Sequence, residues 1–318
     1  MKIYKVGIDL GGTNIAIGVV NETGKMIYKD STPTLCSERT SEEMVIAMAE
    51  FAIKVVADAG ISMGDVISVG IGSPGTPDAK NGILLYANNL KMFNVPMREI
   101  MQRYIDKPIY IGNDANCAAL GEVVAGGAKD THSAIMITLG TGVGGGIVID
   151  NKIYDGFNNA GGELGHFVMT VDGEYCTCGR NGCFEAYSSA TALINQTKKV
   201  AMEHPESEIN KIVGGDLNKI DGKTAFDAMR AGDQIGRAVV ENYIRYLGEG
   251  IVSLINIFQP EVLLIGGGIC KEKEALFGPL NEMAKKFAYT KDESKQTKIM
   301  PAILGNDAGI IGAASLTS

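Results

Sequence analysis

Three thiols fall within eight residues in Cys176-Thr177-Cys178-Gly179-Arg180-Asn181-Gly182-Cys183, and His166 stands ten residues before the first. Thiolates and imidazole are the donors a tetrahedral zinc ion takes, and the glycines let the backbone curl so that the sulfurs converge. With four protein ligands, His166, Cys176, Cys178 and Cys183 predict a closed, structural Zn2+ site with no open position for water. The competing reading is a set of reduced free cysteines. Carboxylates flank this loop: Glu163 in Gly161-Gly162-Glu163-Leu164-Gly165-His166, and Glu185 just after the third thiol. Carboxylates and amides are the groups that bind polyol hydroxyls. A His166 ring fixed by a metal on one nitrogen leaves the other for a sugar hydroxyl. Solvated surface acids are the alternative for both glutamates.

A second kind of chemistry sits in glycine turns. Asp9-Leu10-Gly11-Gly12-Thr13-Asn14 places a carboxylate, two glycines and a hydroxyl at a strand end, parts suited to phosphates and Mg2+. It matches neither the P-loop nor the dinucleotide fingerprint, and alone it reads equally as a hairpin turn. The pattern returns in Thr138-Leu139-Gly140-Thr141-Gly142, continued by Val143-Gly144-Gly145-Gly146. Glycines weaken strands with no gain in packing, so the repetition favours phosphate contact. A third cluster, Gly266-Gly267-Gly268, follows the apolar run Val262-Leu263-Leu264-Ile265, at the strand end where open α/β sheets bind ligands. Asp114, in Gly112-Asn113-Asp114-Ala115-Asn116, stands where a helix opens. Spacing alone favours a helix cap there, whereas phosphoryl transfer to an alcohol needs a base beside the acceptor hydroxyl. Asn88-Asn89-Leu90 reads as a turn.

These groups need elements to hold them. Alternation predicts a meander over residues 3–9, 14–20 and 25–30, then a helix over 41–59 with Ser41 as N-cap and no full capping box. Strands follow over 66–72, leading into the loop Gly72-Ser73-Pro74-Gly75, and over 108–112, leading into Asn113-Asp114. A helix is expected over 115–125. The grammar restarts with a strand at 133–139, a glycine-rich loop at 140–146 and a strand at 147–150, which predicts an internal duplication whose two glycine turns embrace one nucleotide. Ile235, Val239, Tyr243, Leu247, Ile251 and Ile255 recur four apart and mark a long helix closed by Pro260. A last helix is expected over about 308–316, packed on the first lobe, while polar residues 203–222 carry little pattern.

At 318 residues the chain predicts two domains or one large α/β unit. A net charge of −8 argues against nucleic acid or an anionic membrane as partner, since phosphate binding needs a basic excess. The first residues run straight into the alternating pattern, and no apolar run is long enough to span a bilayer, so the expectation is a cytoplasmic protein. Cys36, Cys117 and Cys270 are isolated and read as small core residues, and His132 and His204 as surface residues.

Taken together these stretches resemble the ROK family of repressors, open reading frames and kinases, over nearly the whole chain. The spacing Cys176-x-Cys-Gly-x-x-Gly-Cys183-x-Glu185 is the most specific part. The resemblance implies an α/β, two-lobed, actin/hexokinase-like (ribonuclease H-like) ATPase fold with a duplicated βββαβα core. It implies a small lobe from 1–112 plus about 305–318 and a large lobe from 113–304, with hinges near Asn113 and before the last helix. It further implies an ATP-dependent hexose kinase, closest to the glucokinases, with Asp114 as the base that takes the proton of the 6-hydroxyl, overriding the capping reading. Gly75, Asn88, Asn113, Asp114, Glu163, His166 and Glu185 would bind the sugar. Asp9, Gly11, Gly12, Thr13, Asn14, Thr138, Gly140, Thr141 and Gly142 would hold the phosphates, and Gly266, Gly267 and Gly268 the adenosine. Zinc on the four residues above, Mg2+ with ATP, and a homodimer complete the implication. Kinases for N-acetylmannosamine, allose, fructose or mannose share these motifs, as does a non-catalytic sugar sensor. DNA-binding relatives carry an N-terminal winged helix, for which a chain opening on a strand at Ile3 leaves no room.

Overall fold

The computed structural model describes residues 3–317. In chain order the strands are β1 (Tyr4–Leu10), β2 (Asn14–Asn21), β3 (Met26–Pro33), β4 (Val66–Ser73), β5 (Thr76–Asp78), β6 (Ile83–Ala87), β7 (Met92–Val95), β8 (Ile109–Asn113), β9 (Ala134–Leu139), β10 (Val143–Ile149), β11 (Lys152–Ile153), β12 (Val262–Gly266) and β13 (Lys298–Pro301). The helices are α1 (Ser41–Asp58), α2 (Met97–Gln102), α3 (Asp114–Ala125), α4 (Phe184–Ser188), α5 (Ala190–Glu203), α6 (Glu208–Ile212), α7 (Thr224–Arg230), α8 (Gln234–Phe258), α9 (Glu274–Phe287) and α10 (Asp307–Ala314).

Contacts divide the chain into two compact units: unit 1 holds residues up to 136, 146–162 and those from 302 on, and unit 2 holds 137–145 and 163–301. Residues 113–136 and 146–162 thus group with unit 1, whereas the resemblance placed them in the large lobe. The physical reason is that β8 runs straight into α3, and α3 lies backbone to backbone along α10. A Cβ on Gly312 would stand 1.6 Å from the Cys117 carbonyl oxygen, and one on Gly121 would stand 2.1 Å from that of Ala308.

The sheet of unit 1 has the order β3-β2-β1-β4-β8, antiparallel from β3 to β1 and parallel from β1 to β8. Its inward residues Val6, Ile8, Leu10, Ile15, Ile17 and Val19 are fully buried, as alternation predicts. Against it α1 lays the stripe Met44, Val45, Met48, Ala52, Val55 and Val56. The cap of α1 differs from expectation. Thr40 is the N-cap, and a full capping box joins Glu43 N to Thr40 Oγ1 at 3.2 Å and Thr40 N to Glu43 Oε2 at 2.7 Å. Ser41 is therefore already helical, and the box lies one residue earlier than the sequence reading placed the cap. A small antiparallel sheet, β5-β6-β7, carries Asn88 at the end of β6.

The second sheet has the order β11-β10-β9-β12-β13. Number by number this repeats the first sheet, so the duplicated core expected from the two glycine turns is present, with β1–β2 and β9–β10 as equivalent hairpins. The expected loop over 140–146 is shorter, because Val143–Ile149 is already strand. Gly146 sits where the next layer leaves no room: its Cβ would lie 2.6 Å from that of Ala119 and 2.7 Å from the Ala115 carbonyl oxygen, both on α3. In unit 2, α8 runs from the Asp233 cap to Gln259 in the left-handed conformation just before Pro260, and buries Val239, Tyr243, Leu247, Ile251 and Ile255. Residues 203–222, left without pattern in the sequence, form α6 and a short turn helix, with Ile209 and Ile220 buried in a small cluster of their own. Among the described residues no helix is long and apolar enough to cross a membrane.

Candidate functional site

In unit 1, β1 delivers Asp9 into a tight turn. Gly11 N donates to the Asn14 carbonyl at 2.9 Å, and a Cβ on Gly11 would meet that same oxygen. The turn is braced from behind: Thr34 Oγ1 donates to the Gly11 carbonyl at 2.7 Å and Thr34 N to that of Thr13 at 2.9 Å. Thr13 and Asn14 are left exposed. Asn89 lies close, its Nδ2 3.6 Å from where a Cβ on Gly12 would stand. Asn88 beside it is exposed and bonds to none of these groups.

Spacing alone favoured Asp114 as the helix cap, and the structure gives that place to the residue before it. Asn113 is the N-cap of α3: its Oδ1 accepts from Ala115 N at 3.0 Å and Asn116 N at 3.2 Å. Its Nδ2 donates to the Gly75 carbonyl at 3.1 Å, tying the helix start to the loop after β4. Gly75 has φ of +88°, and a Cβ there would lie 1.9 Å from the Tyr86 carbonyl oxygen, so no larger residue fits. Asp114 is the first helical residue, with one oxygen accepting from Ala115 N at 2.8 Å. Burial raises its pKa above the ordinary carboxylate range, against the lowering effect of backbone N–H groups. The pKa of Asp9 is pushed up to about 6, by burial first and by the Asp114 carboxylate second. The two acids therefore feel one another. No hydrogen bond from the described residues reaches the Asp9 carboxylate, which leaves its oxygens as donors suited to a hard cation such as Mg2+. Cys117, one turn along α3, is buried beneath them, and its thiol is raised far out of the reactive range.

In unit 2 a depression of about 430 Å³ is lined by Thr138, Gly140, Thr141, Gly142, Glu163, His166, Glu185 and Gly267. Two separate sequence expectations, the glycine turn and the sugar-facing acids, thus meet in one place. Glu185 joins them. Its Oε2 accepts from Val143 N at 2.8 Å, and Gly142 is bare because a Cβ there would stand 2.2 Å from the same oxygen. Its Oε1 lies 3.5 Å from Cys176 Sγ and 3.4 Å from Thr177 Oγ1. Glu185 is therefore anchored, not a solvated acid. Glu163 is exposed, with Oε2 4.0 Å from His166 Nε2. Gly266 ends β12, Gly267 is held at φ +106° where a Cβ would stand 2.2 Å from the Leu139 carbonyl oxygen, and a Cβ on Gly268 would meet open space. A larger cavity of about 580 Å³ in unit 2, floored by the stacked rings of Tyr187 and Tyr246, shares none of these residues.

The ligating atoms of His166, Cys176, Cys178 and Cys183 all lie within 4.8 Å of one another. Cys178 and Cys183 are separated by 3.7 Å sulfur to sulfur, and Cys176 Sγ is 3.7 Å from His166 Nδ1. A tetrahedron with bonds of ~2.3 Å has edges of about 3.8 Å, so donor set and spacing fit a Zn2+ ion. The loop is shaped by Cys176 N donating to the Arg180 carbonyl at 2.8 Å and by Gly182 at φ +80°, whose Cβ would lie 1.7 Å from the Thr170 carbonyl oxygen. The ring nitrogen of His166 that faces away from the sulfurs is the one toward Glu163.

Glu122 went unnoticed in the sequence. It is a fully buried carboxylate in α3. Only the Gly126-Gly127 pair just beyond the helix hints at a backbone cradle.

The ROK family profile matches residues 5–318. A glucokinase of Thermotoga maritima is 36% identical over 318 residues, covering 99% of this chain and 97% of that protein. A ROK family glucokinase from Streptomyces griseus, solved in complex with glucose and AMPPNP, superposes with a TM-score of 0.75 at 33% identity and covers 99% of both chains. A ROK hexokinase from Thermus thermophilus gives a TM-score of 0.78 at 31% identity, covering 99% of this chain and 97% of that one. With family profile, whole-length relatives and fold in agreement, the chain belongs to the ROK family.

Proposed function

We propose that this chain transfers the γ-phosphoryl group of ATP to the 6-hydroxyl of a hexose, with glucose as the preferred acceptor. The observation that carries the reading is the presentation of Asp114: Asn113 caps α3, so the next carboxylate is half-buried, raised in pKa and available as a base. Whole-length likeness to glucokinases supports it.

In this reading Asp114 takes the proton of the 6-hydroxyl as that oxygen attacks the γ-phosphorus, and the bond to the bridging oxygen of the leaving ADP breaks. A positioned base of this kind contributes ~10²- to 10⁴-fold. A raised pKa suits the task, since it brings the base nearer the working pH. Gly75, Asn88, Asn113, Glu163, His166 and Glu185 bind the remaining hydroxyls. Gly11, Gly12, Thr13 and Asn14, with Thr138, Gly140, Thr141 and Gly142, offer backbone and hydroxyl donors to the phosphates, and Gly266, Gly267 and Gly268 lie along the adenosine. Mg2+, when bound, neutralises charge on the phosphates, and Asp9 is the residue that would hold it. Zn2+ on His166, Cys176, Cys178 and Cys183 would fix the loop that carries Glu185 and orient the His166 ring. The same reading makes the protein a cytoplasmic homodimer, which sedimentation of the purified protein checks.

The test is ADP release from Mg2+-ATP with glucose, mannose, fructose, allose, N-acetylglucosamine and N-acetylmannosamine, against a blank without sugar. One sugar well above the others supports the reading and names the substrate. No sugar above the blank, with zinc bound and ATP intact, overturns it and leaves a non-catalytic sugar sensor.

A further inference from the structure

We infer that Glu122 is a positioning residue for phosphoryl transfer: from the inner face of α3 it clamps the segment that leads into α10, and so sets the helix that bears Asp114 and the helix that walls in Asp9. The inference rests on the kinase reading above.

Glu122 is fully buried, yet the carboxylate faces no cation among the described ion pairs. Its partners are backbone N–H groups from two distant stretches. Oε1 accepts from Ile303 N and Leu304 N, each at 2.8 Å, and Oε2 accepts from Gly127 N at 2.7 Å. Three donors converging on one buried carboxylate form an anion cradle made entirely of main chain. Gly126 completes it, since a Cβ there would stand 2.0 Å from Oε2.

What the clamp holds is the approach of α10. Ile303 and Leu304 lead directly into Asp307–Ala314, which meets α3 without intervening side chains at Gly121 and Gly312. At the start of α10, Gly309 leaves so little room that its Cβ would stand 2.9 Å from Asp9 Oδ2. Asp114 begins α3 two turns before Glu122, about 12 Å along the axis. A single carboxylate thus fixes the helix that bears Asp114 and the one that walls in Asp9. The titratable groups facing Asp9 are Asp114 and Cys117 of α3. Its strand neighbours Ala16 and Gly72 and the Gly309 backbone carry no charge.

Glutamine cannot take over, because its NH2 would face a donor at one end of the cradle. Glu122→Gln and Gly126→Ala should therefore be assayed as zinc-loaded full-length proteins, at equal folded concentration by circular dichroism. Gly126→Ala keeps the charge but displaces it, so it carries the test even where Glu122→Gln fails to fold. The expected result is a kcat lowered roughly 10- to 100-fold with sugar KM within about twofold, the pattern of a misplaced base. The acid limb of kcat/KM should also move to lower pH as Asp9 gains water. Folded variants with wild-type kcat and an unmoved acid limb overturn the inference. Absence of wild-type turnover with every sugar is a different failure: it removes the kinase reading, and the positioning role with it.

Discussion

Asp9 is held at a cost to folding, and replacing it by asparagine should stabilise the protein. The pKa of Asp9 stands at about 6 against 3.8 for an unperturbed group. A carboxyl whose folded pKa is raised binds more protons in the native than in the unfolded chain between those values. Stability contributed by this group is therefore greatest in acid and declines as pH rises from about 4 to about 6, after which the whole penalty persists. The gap between the two pKa values corresponds to about 3 kcal/mol, an upper figure because part of the carboxylate still meets solvent. Asparagine is nearly isosteric and carries no charge. Urea unfolding of Asp9→Asn without nucleotide or Mg2+ should show a gain approaching 3 kcal/mol near pH 8 and about half of that near pH 5. In an Asp114→Asn background the gain should shrink, since the neighbouring carboxylate is the second cause of the raised pKa. A variant no more stable than wild type, or a gain that does not shrink as pH is lowered, would show that burial beside Asp114 does not destabilise Asp9.

Three further outcomes follow from the same geometry. Cys178→Ser should lower zinc content measured by mass spectrometry and raise protease sensitivity of residues 166–185; a full zinc complement in this variant contradicts the ligand assignment. Gly312→Ala forces a methyl to within 1.6 Å of the Cys117 carbonyl oxygen and should destabilise unit 1 by about 2–4 kcal/mol in urea, whereas an unchanged midpoint would mean that α3 and α10 are not in backbone contact. For the free enzyme, kcat/KM should fall below pH about 6 as Asp9 takes up a proton, and a flat profile down to pH 5 would show that this carboxylate is not required in its ionised form.

Much of this architecture is legible in residue order because the signals are local. Alternation in β1 and β2, the four-residue spacing in α8 and the glycines closing strands each speak within one element, and two equivalent strand-turn-strand units were enough to expect an internal duplication. The metal loop was legible for the same reason, since its thiols lie within eight residues. What stayed hidden depends on partners far along the chain. Glycines 144–146 resemble loop in sequence yet belong to a strand, and Gly146 is fixed there by α3, a contact carried by Ala115 and Ala119. The role of Asn113 as cap, which frees Asp114, needed the helix start to one residue. Glu122 drew no notice in the sequence, because its partners lie about 180 positions later at Ile303 and Leu304.

Product analysis tests whether Asp114 is the base for phosphoryl transfer to a sugar hydroxyl. Carbon-13-labelled glucose should be incubated with Mg2+-ATP and either wild type or Asp114→Asn, following the C6 resonance by NMR while calorimetry measures glucose binding. Wild type should yield hexose 6-phosphate, and Asp114→Asn should show a rate lower by ~10²- to 10⁴-fold with glucose binding retained. Equal rates from the two proteins, or phosphorylation at another carbon, would contradict it.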